Sequence, residues 1–286
     1  MGPTGPESTP GRGRRRKTGA IRIALTTPPA IRAAPVLSKV PSGPALPVAR
    51  RRTTLSTRVA VSTYLVVFAR NPQPGAVKTR LHSRYTPDQA AAIYRAFILD
   101  TVNAAKEATA DRRCVAGDPP GSEAVLSDLA GPGWLLFPQA RGDLGERMHQ
   151  AARHCFELGA GRVVIMGTDV PSLPPRHVDR AFELLRGHEV VLGPSMDGGY
   201  YLVGLARPLR EIFQDVEWST ERVFGQTLER VRALGLTAGI LPSWYDVDTP
   251  DQLDHLVEDT RVQLRAGMPD PIPHTRACLA TLDCLD

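Results

Sequence analysis

Apolar and polar positions alternate along this chain in blocks of two kinds. Tyr64-Leu-Val-Val-Phe-Ala69 is a short unbroken apolar run rich in β-branched residues, which predicts a strand buried on both faces. Asn71-Pro-Gln-Pro-Gly75 interrupts it as a loop. Thr86-Pro-Asp-Gln89 then opens a helix, with Thr86 as cap, Pro87 in the first turn and Gln89 at the third helical position; the pattern continues to about Ala108. Further short apolar runs predict strands at 113–116, 134–137, 162–166, 189–192, 200–204 and 237–241. Helical patterns fall at 123–129, 144–158, 175–186, 219–233 and 250–265. Residues 266–286 read as a loose C-terminal extension.

Strands alternating with helices at this spacing predict an α/β fold, with a mostly parallel central sheet and helices on both faces. In such sheets ligands bind beyond the carboxyl ends of the strands. The loops after the first, fourth and sixth strands are therefore where chemistry is expected.

Residues 1–58 follow neither pattern. They hold 9 of the 26 prolines and carry a charge of +11, whereas residues 59–286 carry −6. The net +5 thus belongs to the tail, and the domain is not expected to bind nucleic acid. The tail is expected to be disordered, because it offers too little apolar surface to offset its chain entropy. A polyanion-binding arm, a transit peptide and a true start near Val59 are open readings; a secretory signal is not, since no apolar core of the needed length follows the basic cluster. No apolar run is long enough to span a bilayer. The four cysteines form no C-x-x-C pair and fit a reducing cytoplasm.

Three loops carry candidate chemistry. The first places Arg70, Gly75, Lys78 and Arg80 directly after a buried strand. Gly75 permits close backbone approach, and the cations could neutralise a diphosphate. It matches neither the Walker A loop nor G-x-G-x-x-G. Asp169 follows the fourth strand, where a carboxylate could hold a divalent cation or cap a turn. Asp246 and Asp248 alternate on an extended segment before the Thr249-Pro250 helix start; they could supply a second carboxylate or only complement a helix dipole. Two other segments stand out. Gln139 to Met148 opens a helix with Gly142, Asp143 and Gly145, and Asp197-Gly198-Gly199 could be a hairpin turn or leave space beside an acid.

Six pieces in order, F-A-R-x-P-x-P-G-x-V-K-T-R-L, Q-x-x-G-D-L-G-E-R-M, G-T-D-V-P-S-L, D-G-G-Y-Y-L-V-G-L, E-W-S-T and D-V-D-T-P, cover about Tyr64 to Val257. Together they resemble the GT-A superfamily of nucleotide-diphospho-sugar transferases, and within it the bacterial radical-SAM/selenodomain-associated, glycosyltransferase-like family. Molybdenum-cofactor guanylyltransferase and phospholactate guanylyltransferase are more distantly similar. The resemblance implies one GT-A-like, Rossmann-like domain over 59–265. It also implies a metal-dependent transferase using Mg²⁺ or Mn²⁺ on Asp169 and Asp248 or Asp246. The donor would be a nucleotide sugar and the acceptor a small molecule. Arg70, Gly75, Lys78, Arg80, Asp143, Gly198 and Gly199 would bind the nucleotide and substrate; Asp169, Lys78 and Asp197 would act catalytically, Asp197 beside the acceptor. The alternative is a nucleotidyltransferase that takes a nucleoside triphosphate and a phosphorylated acceptor. Such enzymes usually carry a glycine-rich first loop, where this chain has Gly75 alone.

Overall fold

A computed structural model of the chain describes residues 61–283, and Gly2 apart from them. The expectations for the tail, residues 1–58, lie, apart from Gly2, outside the described residues. The elements run β1 (Thr63–Arg70), α1 (Pro87–Glu107), β2 (Arg112–Asp118), α2 (Glu123–Ala130), β3 (Trp134–Pro138), α3 (Leu144–Glu157), β4 (Arg162–Gly167), α4 (Pro175–Leu184), β5 (Val190–Pro194), β6 (Tyr200–Leu205), α5 (Val223–Ala233), β7 (Ala238–Ile240), α6 (Pro250–Arg265) and α7 (Pro273–Asp283). Short 3₁₀ turns lie at Thr79–Ser83 and Glu211–Phe213.

One seven-stranded sheet has the order β3-β2-β1-β4-β6-β5-β7. It is parallel except where β6 runs against β4 and β5. The chain builds outward from β1 through β2 to β3, then returns to place β4 on the other side of β1. The C-terminal ends of β1 and β4 therefore diverge at a topological switch, the place where such sheets hold ligands. Phe68 pairs with Gly167 there, and Arg70 with Asp118.

The alternating pleat of β1 sends Leu65 and Val67 to one face, into a core with α1, α2, α4, α6 and α7. Tyr64 and Val66 go to the other, into a core with α3 and α5. Helices thus cover both faces. Fully buried side chains such as Phe97, Leu126 and Leu256 each contribute about 1.5–3 kcal/mol. The Thr86/Gln89 capping box forms as the sequence predicts, and at the Thr249-Pro250 helix start Gln252 completes a second one.

The C-terminal segment differs from the expectation of a loose end. Residues 273–283 form α7, which packs on α1. Buried Asp100 of α1 accepts hydrogen bonds from the backbone N–H of His274 (2.9 Å) and Thr275 (2.9 Å) and from Thr275 Oγ1 (2.6 Å), capping the new helix from outside. Among the described residues no helix is long and apolar enough to cross a membrane.

Candidate active site

A cavity of about 430 Å³ opens at the switch between β1 and β4, a size suited to a small-molecule ligand. Phe68, Met166 and Tyr201 contribute to its wall, with charged groups at two ends.

At the first end the loop after β1 turns into the 3₁₀ turn through Lys78, whose backbone is left-handed (φ 46°, ψ 42°). That conformation costs an L-residue about 1–2 kcal/mol. It drives the Lys78 side chain inward, where it is 4% exposed. Nζ meets Asp169 Oδ1 at 2.5 Å, Asp248 Oδ1 at 2.8 Å and the Val247 carbonyl at 2.6 Å. All three ammonium protons thus have partners within the protein. Phe97 and Tyr94 present their rings to the ammonium at 5.4 and 5.9 Å. Burial pulls the Lys78 pKa down, but Asp169 and Asp248 outweigh it and leave the group above its ordinary value.

Backbone contacts fix the two carboxylates. Asp169 follows β4, and its carbonyl accepts from Val247 N–H at 2.8 Å, lashing that loop to the segment before α6. Asp248 donates its backbone N–H to Gln252 Oε1 at 2.9 Å, so the α6 cap sets its position. Asp169 is 52% exposed. Arg80, exposed at the rim, places NH1 3.4 Å from Asp248 Oδ2.

At the second end Arg70 meets Gln139 and Arg147, from the segment singled out in the sequence, beside Asp118, which gave no signal there. Asp118, the last residue of β2, holds Arg70 Nε at 3.0 Å and Arg147 NH1 of α3 at 3.6 Å on the same oxygen. Arg147 Nε is buried without a partner among the described residues. Gln139, 5% exposed, donates Nε2 to the Ala116 carbonyl at 2.9 Å, and its Oε1 has no partner. Between the two ends, Tyr94 accepts the Arg70 backbone N–H at 3.0 Å and shares a 2.8 Å hydrogen bond with Thr168. Burial first, then the Asp169 charge, pushes its phenol up to about 12.

The other expected site residues lie elsewhere. Asp246 accepts from Ser195 Oγ at 3.2 Å and is absent from the cavity wall, although Asp248 lines it. Burial raises the Asp246 pKa, helped by the charges of Asp197 and Asp248. Asp197 and Gly198 occupy the turn of the β5–β6 hairpin, where Asp197 Oδ1 accepts from Gly199 N–H at 2.9 Å. Gly198 does not leave free space: a Cβ there would stand 2.1 Å from the Glu221 carbonyl oxygen, so that chain already fills it. Asp143 caps α3, accepting Glu146 N–H at 2.8 Å, and lines a separate depression. Gly75 turns the first loop with φ 77°. Gly145 is bare because Trp218 packs there; a Cβ would meet its ring at 2.5 Å, which joins the G-D-L-G-E-R and E-W-S-T segments.

Asp169, Asp248, Lys78, Arg80 and Arg70 are thus brought to one cavity. Half-exposed Asp169, with the Asp248 oxygen that faces only the exposed rim cation Arg80 at 3.4 Å, suits a divalent cation completed by ligand phosphates, since Mg²⁺ is usually bound through one or two carboxylates. Among the described residues no group of three or more His, Cys, Asp and Glu side chains converges as a self-sufficient metal site.

The family model described as "uncharacterized protein conserved in bacteria (DUF2064)" matches residues 101–220. No curated protein matches the chain. A crystal structure from Desulfovibrio desulfuricans G20, provisionally assigned as a nucleotide-diphospho-sugar transferase, is 32% identical; the match covers 78% of this chain and 96% of that one, with a TM-score of 0.69. A cytidylyltransferase from Leptospira borgpetersenii is 13% identical over 78% of this chain and 94% of its own, with a TM-score of 0.49. Rv0371C of Mycobacterium tuberculosis, solved with manganese, is 20% identical over 70% of this chain and 99% of its own, with a TM-score of 0.45. At 32% identity across nearly the whole of the Desulfovibrio protein, the chain belongs to the same family of GT-A-like nucleotide-diphospho-sugar transferases.

Proposed function

We propose that residues 59–265 transfer the sugar of a nucleotide-diphospho-sugar to a small acceptor with the help of Mg²⁺ or Mn²⁺. The observation that carries this reading is the convergence of Asp169 and Asp248 on one buried ammonium at the topological switch of the sheet.

Asp169 and Asp248 would hold the cation through oxygens that Lys78 does not occupy. When bound, the ion supplies charge neutralisation to the departing nucleoside diphosphate. Lys78 keeps the two like-charged carboxylates together before any ligand arrives, so less reorganisation is needed on binding. Arg80 at the rim has unused donors and adds fixed positive charge along the phosphates. Phe68 and Met166 exclude water from the same wall. Asp197 lies in the β5–β6 turn outside the cavity wall, so the acceptor-side base is not assigned to it.

The test is to incubate the protein with nucleotide sugars and, separately, with nucleoside triphosphates plus sugar phosphates, with and without Mn²⁺. Metal-dependent release of nucleoside diphosphate supports sugar transfer. Metal-dependent release of pyrophosphate would replace it with nucleotidyl transfer.

A further inference from the structure

We propose that Arg70 and Arg147, fixed on Asp118, form a second oxyanion subsite of the cavity that takes a phosphate group without a metal ion. Both guanidiniums contact one Asp118 oxygen, at 3.0 and 3.6 Å, so a single tetrahedral anion can reach both forks. Two arginines against one carboxylate leave a local charge of +1. They also leave most of their N–H donors unused, since each guanidinium carries five. Arg147 Nε is buried and unpartnered among the described residues, an arrangement that costs free energy until a ligand meets it. Arg70 is 62% exposed, and its head is open to the cavity that both arginines line. Gln139 adds a buried acceptor in the same lining, available to a hydroxyl of the ligand.

This subsite is distinct from the Asp169–Lys78–Asp248 end. Asp118 ends β2 and Asp169 follows β4, with β1 between them. Two strand spacings separate them, about 10 Å. A donor diphosphate held at the carboxylates leaves the arginines to a phosphate on the acceptor or to another part of the donor. That assignment to a carrier rests on the transferase reading; the binding itself does not.

The experiment uses the full chain in EDTA with inorganic phosphate, followed by thermal shift and calorimetry. A ligand that binds the folded state raises the melting temperature by mass action. The expected result is saturable stabilisation, with affinity at least tenfold weaker in Arg147→Gln and at least threefold weaker in Arg70→Gln. Arg153→Gln, which alters an exposed pair with Glu157 on α3, should bind phosphate as the natural chain does. It controls for the general stabilising effect of phosphate salts. If phosphate still binds when nucleoside diphosphate and Mn²⁺ are saturating, the subsite serves the acceptor; if it is displaced, the subsite serves the donor. Either result supports the subsite. No saturable effect in EDTA, or equal affinity in Arg70→Gln and the natural chain, overturns it. Arg70 is exposed enough that its variant will fold. Because no turnover is measured, failure of sugar transfer and failure of this subsite are separable.

Discussion

The Lys78 ammonium lies 2.5 Å from Asp169 Oδ1, and a left-handed backbone at Lys78 brings it there. Strain at one residue is thus coupled to the placement of two carboxylates. Lys78→Met should let Asp169 and Asp248 move apart under like-charge repulsion. We expect turnover to fall about a hundredfold, the effect of misplacing a reacting group by about 1 Å. Stability should fall by about 1–3 kcal/mol. That is less than the ~3–5 kcal/mol for breaking a fully buried pair, because Asp169 is half exposed. Lys78→Arg should not recover activity, since three short bonds surround a compact Nζ. Steady-state kinetics and urea melts check both variants.

The buried phenols predict an alkaline limit. Burial raises Tyr94 and Tyr245 to about 12, and raises Tyr200 and Tyr201 further. Each phenol is harder to ionise in the folded chain than in the unfolded one. Its stabilising contribution is therefore complete below pH 10 and lost as pH climbs from about 10 toward 12. For Tyr94 alone that amounts to about 3 kcal/mol. Melting temperatures between pH 8 and pH 11.5 should be level at first and then fall steeply above 10. A level profile to pH 11.5 would show that these phenols ionise freely.

Asp100 predicts how the C-terminal helix is held. Asp100→Ala removes the acceptor of three hydrogen bonds and leaves the start of α7 uncapped. A loss of about 2–3 kcal/mol is expected, with kcat/KM unchanged because Asp100 is absent from the cavity wall. Hydrogen exchange should speed up in residues 273–283 first. Unchanged protection there would show that apolar packing alone docks the helix.

Legibility in the sequence followed the range of the interaction. Helix α6 begins and ends where Thr249, Pro250, Gln252 and Arg265 place it, because its cap lies within four residues. The apolar runs fixed the strands to within a few residues. The reversal of β6 was signalled only by Asp197-Gly198, which also fitted an acceptor role. Helix α7 was missed because its cap comes from Asp100, 174 residues away from His274. Lys78 and Arg80 read alike as loop cations, yet one is buried and the other open. The difference arises from Asp169 and Asp248, which sequence order cannot bring together. Arg147 fell within the Gln139–Met148 segment that stood out, but its pairing with Asp118 gave no local signal, since it depends on α3 lying against the end of β2.

If the proposed chemistry holds, Asp169 and Asp248 bind one divalent cation together with the phosphates of the donor. The most direct measurement is the rise in melting temperature caused by Mn²⁺ plus a nucleoside diphosphate, in the natural chain and in Asp169→Asn, Asp248→Asn and Asp246→Asn. The rise should disappear in the first two variants and persist in the third, whose carboxylate is turned to Ser195. Mn²⁺ alone should act weakly, since two carboxylates do not complete its coordination. A full Mn²⁺-dependent rise in Asp169→Asn would remove the cation from the site.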